Sequence, residues 1–352
     1  MSRARSVAGL GRGPDGEPHR VLPHLLRKVG ASRQAQLGVA LATVLVIAAI
    51  AFAVHELSTA APSCLDRESP TVLHGTFTQG ESVPSPPDSH TIDARTAISL
   101  TSGERALEIG ESRAPQGLCV VGWTTVGQQP RTLTWHEMHD DIEGSALRVY
   151  ASDYVVDGLR ADNVEDGFDP RGGEGFELRN AWMTYIRDDC VENDERRAGR
   201  VVDSLFDGCY TFFSEQEAGD VTGESLVFDN VLARLQPMPG PYGTEDPDVL
   251  GHGSFFKNFE DDGRHEPVIR DSVFLLSDDC YNDCSDWPPG TTASDVIIVW
   301  TGDGEFPMSV LPGMTLTTDR SVWDTAVARW MSRHGCTTVD QPCTKLNNPD
   351  PP

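Results

Sequence analysis

An all-β solenoid of stacked coils is what the chain predicts, and three observations predict it. The first is a repeat. Val155-Val156-Asp157-Gly158-Leu159 runs on to Glu165-Asp166-Gly167-Phe168, and Leu178-Arg179-Asn180-Ala181-Trp182 runs on to Asp188-Asp189-Cys190-Val191. Val201-Val202-Asp203-Ser204-Leu205 runs on to Asp207-Gly208-Cys209-Tyr210 in the same way. Asp157, Asn180 and Asp203 stand 23 residues apart in each step, as do Asp166 and Asp189. A period of that length marks coils that stack. The second observation is composition: the runs are short, rich in Val, Leu and Phe, closed by Asp, Asn or Gly, and free of helical periodicity. The third is recurrence, as Phe228-Asp229-Asn230-Val231 and as Ile269-Arg270-Asp271-Ser272-Val273 followed by Asp278-Asp279-Cys280-Tyr281. If each coil rises by one strand spacing, about 4.8 Å, residues 23 apart lie over one another. Asp157, Asn180 and Asp203 then form a ladder at a turn, where Asn and Asp bond to the backbone.

Taken in order, residues 1–36 are rich in Gly, Pro and Arg and read as a disordered cytoplasmic tail. Residues 37–54 are 18 uncharged, almost wholly apolar positions, the length of a short transmembrane helix. Arg20, Arg27, Lys28 and Arg33 precede them, so the positive-inside rule places the N-terminus in the cytoplasm. The expected localisation is the cell membrane, with a single signal-anchor helix and the rest of the chain extracytoplasmic. A cleaved signal peptide, cut near Ser58-Thr59-Ala60, is the competing reading; its apolar region is usually shorter. Residues 55–90, with Pro62, Pro70, Pro84, Pro86 and Pro87, read as a stalk.

The coils are expected over 91–315, beginning with Ala97-Ile98-Ser99-Leu100 and Leu118-Cys119-Val120-Val121 and ending on Val296-Ile297-Ile298-Val299-Trp300. Residues 236–253 interrupt them with four prolines and four glycines. Such insertions leave a solenoid on one face, often the binding face. Within 316–335, Thr318-Asp319 caps a helix from Arg320 to Arg333, with Val322, Trp323, Ala326, Val327, Trp330 and Met331 near one face and Gly335 as its stop. It is expected to pack on the solenoid and to cover an open end, since exposed end strands invite edge pairing. Residues 336–352 form a loose tail.

Charge and cysteines narrow the partners. Residues 1–54 hold seven Lys and Arg against Asp15 and Glu17, whereas the remainder holds 21 basic and 52 acidic groups. So acidic a body repels nucleic acid and favours divalent cations or neutral and cationic glycans. All eight cysteines follow the apolar segment, and an even number in an oxidising compartment favours disulfides. Cys190 and Cys209 take the same place in adjacent coils, either as a disulfide or as buried thiols; Cys280/Cys284 and Cys336/Cys343 can close local loops.

The repeat resembles the right-handed parallel β-helix of pectate lyases and polygalacturonases over residues 91–315. The resemblance implies a polysaccharide partner and either hydrolase or lyase chemistry. Stacking puts Glu165, Asp166 and Asp169 beside Asp188, Asp189 and Glu192. Carboxylates so close hold one proton tightly, which separates acid from base. They also offer the oxygens of a calcium site, so Ca2+ is the cofactor considered. Polygalacturonases carry N-T-D, D-D, G-H-G and R-x-K segments. This chain has Asn163-Val164-Glu165-Asp166, Asp188-Asp189-Cys190 and Gly251-His252-Gly253, with no R-x-K after them. On that likeness Asp188 or Asp189 is the general acid, Asp166 and its neighbour activate water, with Asp169 counted beside them, and His252 assists. Arg187, Glu192 and Trp182 would contact substrate, Trp182 being either a stacking platform or core. His136 and His139, in Trp135-His136-Glu137-Met138-His139, bind metal, line a sugar subsite, or lie on the surface. Because Asp278-Asp279-Cys280 repeats the Asp pair, turn chemistry is the competing account of it. The function opposed to the enzyme is a non-catalytic glycan-binding or scaffolding module.

Overall fold

The computed structural model describes residues 69–340 and Cys343, apart from 102, 104, 143, 217–220, 222–223, 258–263 and 282–285. Residues 1–36, read above as a cytoplasmic tail, the apolar 37–54 segment and most of the final tail lie outside the described residues. No helix among the described residues is long and apolar enough to cross a membrane.

The chain winds into a parallel β-solenoid of about nine coils. Three parallel sheets run along it. The first joins Glu81–Val83, Leu107–Ile109, Ser145–Ala151, Asp166–Gly172, Ile186–Glu192, the later half of Leu205–Ser214, and Phe256–Lys257. The second joins Tyr154–Asp157, Phe176–Arg179, Gly199–Val202, Ser225–Asp229, Glu266–Arg270 and Thr292–Ser294. The third joins Arg160–Asp162, Trp182–Thr184, the first half of Leu205–Ser214, Leu232–Leu235, Val273–Leu276, Val296–Trp300 and Met314–Thr317. The side chains pointing inward make one continuous core from Ile92 to Met314.

Between the second and third sheets the chain turns through a left-handed residue in each coil. Gly158, Asn180, Asp203, Asn230, Asp271 and Asp295 all have φ between 44° and 86°. Gly and Asn tolerate that region, and Asp often does. The Asn180, Asp203, Asn230 and Asp271 N–H groups each donate to a carbonyl of the next coil, at 2.9–3.2 Å. The expected ladder exists with one offset: Gly158, not Asp157, stands level with Asn180, because Asp157 pairs with Arg179. Asn180 Nδ2 reaches down to Asp157 Oδ1 at 2.7 Å, as Asn230 does to Asp203.

Two boundaries differ from the sequence reading. Strands begin at Thr71–Phe77 and Glu81–Val83, inside the segment read as a stalk. Leu73, Phe77 and Val83 pack on the core, and the proline cluster occupies the turn between coils. The helix α2, Ser321–His334, lies along the third sheet instead of over an end. Trp182, Leu205, Leu232, Leu275 and Val299 from five coils form an apolar stripe that accepts Trp323 and Trp330. Gly335, at φ 65°, ends it with an N–H to Met331 O. The last coil is covered instead by the loop 301–313, whose Phe306, Met308 and Leu311 pack on the core. Cys190 is bonded to Cys209, and Cys336 to Cys343.

Candidate active site

The first sheet positions the acidic groups. Phe168 is level with Val191, so Asp166 lies beside Asp189 and Asp169 beside Glu192, as the 23-residue spacing requires. The Asp189 N–H donates to Asp166 Oδ1 at 3.1 Å. Asp189 in turn is level with Thr211, and Ser214 with Lys257. Lys257 Nζ sits 3.2 Å from Asp188 Oδ1 and 3.0 Å from Asp189 Oδ2.

Above this row lies a cleft of about 350 Å³. Asp188, Lys257 and His139 form its polar side, and Trp135, Tyr210, Tyr242 and Tyr281 its aromatic walls. His139 and Trp135 come from the short helix α1, Trp135–His139, between two strands of the solenoid. A capping box starts α1: Glu137 N–H donates to Thr134 Oγ1, and Thr134 N–H to Glu137 Oε2. Its loop is pinned by Tyr185, whose hydroxyl donates to Arg131 O at 2.6 Å, and by Arg187, which donates to Leu133 O. Trp135 packs with Tyr185, Tyr210 and Met238, and its backbone N–H donates to Gly240 O. Gly240 at φ 52° brings the backbone against Thr134, where a Cβ would lie 2.4 Å from Cγ2. The insertion 236–253 thus reaches the binding face, carrying Tyr242.

Burial sets the electrostatics. It pushes Asp166 well above the usual carboxyl range, and Glu192, Glu165, Asp188 and Asp189 add to the push. Burial and then Asp188 raise Asp189 to about 7, with Lys257 pulling the other way. Glu192 is raised by burial and by Asp169. Burial works against the charge on Lys257, yet Asp188 and Asp189 outweigh it and hold the ammonium well above an ordinary lysine. Glu165 is raised by burial despite its bond to His139, and that same bond raises His139.

The residues singled out from sequence are only partly gathered. Asp188 borders the cleft; Asp189 and Asp166 are buried directly behind it. Asp169 is clasped by Arg148 and by Arg171, whose Nε lies 2.5 Å away, and Glu192 lies 3.6 Å from Arg171, so these two belong to an ion-pair row. His252 turns to Gly253 O at 2.8 Å and to Ser277 at 3.5 Å, and burial lowers its pKa. Arg187 holds the α1 loop. Trp182 is buried on the third sheet, 6.2 Å from Trp330 ring to ring, far from any place where a sugar in the cleft would stack.

Calcium does not fit the donors. Asp166, Asp188 and Asp189 bring oxygens within 4.8 Å of one another, but the Lys257 ammonium already stands where the cation would. The other set, His139, Glu165 and Asp188, includes an imidazole, a poor ligand for a hard cation.

Lys257 is the group the sequence reading missed. Phe255-Phe256-Lys257 copies Phe212-Phe213-Ser214 in register. That aromatic pair was the available signal, and the insertion hid it by stretching one coil to 43 residues. No protein family, no curated protein and no solved structure matches the chain.

Proposed function

We propose that the cleft binds a polysaccharide and acts on it by acid–base chemistry of the lyase type. The observation that carries this is one polar wall, made of Asp188, Lys257 and His139, together with aromatic walls in a cleft of about 350 Å³. Aromatic faces stack on the C–H faces of sugar rings, while the charged groups engage hydroxyls and carboxylates. Hydrolysis by two carboxylates needs them on either side of the scissile bond, about 5–9 Å apart. Here Asp188 alone among the clustered carboxylates borders the cleft, and its two neighbours crowd behind it.

Elimination needs its groups on one side. A proton leaves the carbon next to a uronate carboxylate, the C–O bond to the neighbouring sugar breaks, and a C=C bond forms. The departing oxygen takes a proton, and no water is consumed. Lys257 suits the uronate carboxylate. The acidic body opposes a uronate chain at long range, but salt screens that field beyond about 8–10 Å, so the groups that line the cleft, Lys257 and His139 with Asp188 among them, decide. Disulfides, with Cys190–Cys209 and Cys336–Cys343 among the described residues, support an oxidising, extracytoplasmic setting, with residues 37–54 as the membrane anchor.

A non-catalytic glycan-binding module is the second reading. It is favoured by Lys257, whose charge is already met by Asp188 and Asp189. The test is the full-length chain on polygalacturonate, alginate and a neutral glucan, following binding, reducing ends and unsaturated products. Unsaturated products, lost in Asp188→Asn, support the lyase. Reducing ends without unsaturation mean hydrolysis. Binding without turnover leaves the module, and no binding to any of the three overturns the glycan reading.

A further inference from the structure

We propose that His139, brought to the cleft by α1 instead of by any coil of the repeat, is the base that takes the substrate proton, with Glu165 as its positioning residue. This rests on the lyase reading of the cleft. The ring is fixed from three sides. Nδ1 lies 3.0 Å from Glu165 Oε1 and 3.5 Å from Asp188 Oδ2. The ring face stacks on Trp135, centroids 4.3 Å apart and planes 22° apart. Glu165 is itself buried, and its second oxygen accepts the Gly144 N–H. With Nδ1 engaged, Nε2 is the nitrogen left for a ligand, on a side chain that remains 42% exposed in the cleft. A base oriented by a buried carboxylate is the usual arrangement of an active imidazole.

The other polar groups of the wall are committed. Lys257 holds its proton between two aspartates. Asp188 accepts from Lys257 and faces the imidazole. Tyr210 accepts the Tyr242 N–H, and burial raises its hydroxyl further out of reach. The charged groups facing the His139 ring are Glu165 and Asp188, from adjacent levels of the stack, and Lys257, from two levels beyond Asp188; the first two raise its pKa and Lys257 lowers it. His136, on the same helix, pairs with Asp140 instead.

In the step itself, Nε2 takes the proton from the carbon beside the uronate carboxylate. The electron pair of that C–H bond becomes the C=C bond as the C–O bond breaks. The imidazolium then returns its proton to the departing oxygen, and the ring ends neutral.

The experiment compares wild type, His139→Gln, Glu165→Gln and Glu165→Asp as full-length chains, with polygalacturonate and alginate as probes. Binding is read by affinity electrophoresis and turnover by unsaturated product across pH. His139→Gln is expected to lower turnover on the order of a hundredfold or more while binding persists. Glu165→Gln removes the charge that raises His139, so the acidic limb of the pH–rate profile moves to lower pH, and Glu165→Asp moves it part of the way back. A merely structural Glu165 would leave that limb in place. Turnover by His139→Gln above a tenth of wild type, or an unmoved limb in Glu165→Gln, overturns the assignment and leaves the lyase reading standing. A wild-type chain that makes no unsaturated product from either polymer overturns both.

Discussion

On the third sheet, the outward positions Trp182, Leu205, Leu232, Leu275 and Val299 line up as an apolar stripe beneath α2. On the first sheet, the row at matching height carries Arg148, Asp169, Glu192, Ser214 and Lys257. One repeat supplies both, since inward positions alone must stay apolar to stack the coils. The difference shows most clearly in two aspartates, Asp203 half-buried and Asp189 fully buried. Burial pushes Asp203 up, but the hydrogen bond to His334 and the charge of Arg333 outweigh it and hold the carboxyl below its ordinary value. Asp189 is held up near 7 by burial and then by the charge of Asp188, against the pull of Lys257. The flank under α2 uses a carboxylate to fasten a helix; the flank with the cleft crowds carboxylates until they retain protons.

The largest test of this contrast is Trp330→Ala. Trp330 is 1% exposed and donates its N–H to Asp203 O at 2.9 Å. Its loss is expected to lower unfolding free energy by about 3–5 kcal/mol, read by denaturant titration. Below the new midpoint, glycan binding in the cleft should hold; lost binding would break the independence of the two flanks.

Lys257→Met comes next. Removing the ammonium leaves Asp188 and Asp189 without their cation, an expected loss of about 1.5–3 kcal/mol near neutral pH. The loss should shrink as pH falls through the raised pKa of Asp189 and that carboxyl is protonated. An effect that does not depend on pH would mean that Lys257 acts by packing alone.

The two aspartates should respond to pH with opposite signs. Asp189 is raised, so between pH 3.8 and about 7 the unfolded chain ionises it and the folded chain does not. Its contribution to stability is therefore lost as pH rises through that window, by at most about 1.4 kcal/mol per pH unit. Asp203 is lowered, so its contribution is present above its unfolded pKa and lost as pH falls through the folded one. Asp189→Asn should flatten the decline toward neutral pH, and Asp203→Asn the decline in acid, both measured as denaturant midpoints across pH. A shared sign would collapse the comparison.

The smallest effect lies between the flanks. Asn230 at φ 54° turns the corner, and Asn230→Ala is expected to cost about 1–2 kcal/mol in thermal melts, with Asn230→Gly costing less. Equal losses would place the role of Asn230 in its bond to Asp203 and not in the backbone.

The architecture was legible because stacking forces equal spacing: Asp166 and Asp189 meet for the same reason that their residue numbers differ by one coil. The corner residues were legible through left-handed Asn and Asp. Less visible was which outward positions would be covered. Trp182 reads the same whether it awaits a sugar or Trp330, and only the apolar residues of the coils that follow it, Leu205 and Leu232, decide. Lys257 was hidden by the insertion, which breaks the spacing that found the others. His139 lies outside the repeat altogether, and its place depends on Arg187, Tyr185 and Gly240 holding a loop, contacts that no periodicity announces.

The bond between Cys190 and Cys209 has a consequence for how such a stack comes apart. A solenoid loses its outermost windings first, because each touches a neighbour on one side only. This cross-link sits mid-stack, one position from Asp189, and joins two windings across 19 residues. Fraying from either terminus would stall there, leaving the acidic pocket among the last parts to unravel, and a reducing agent would remove that barrier without touching a single side chain of the cleft.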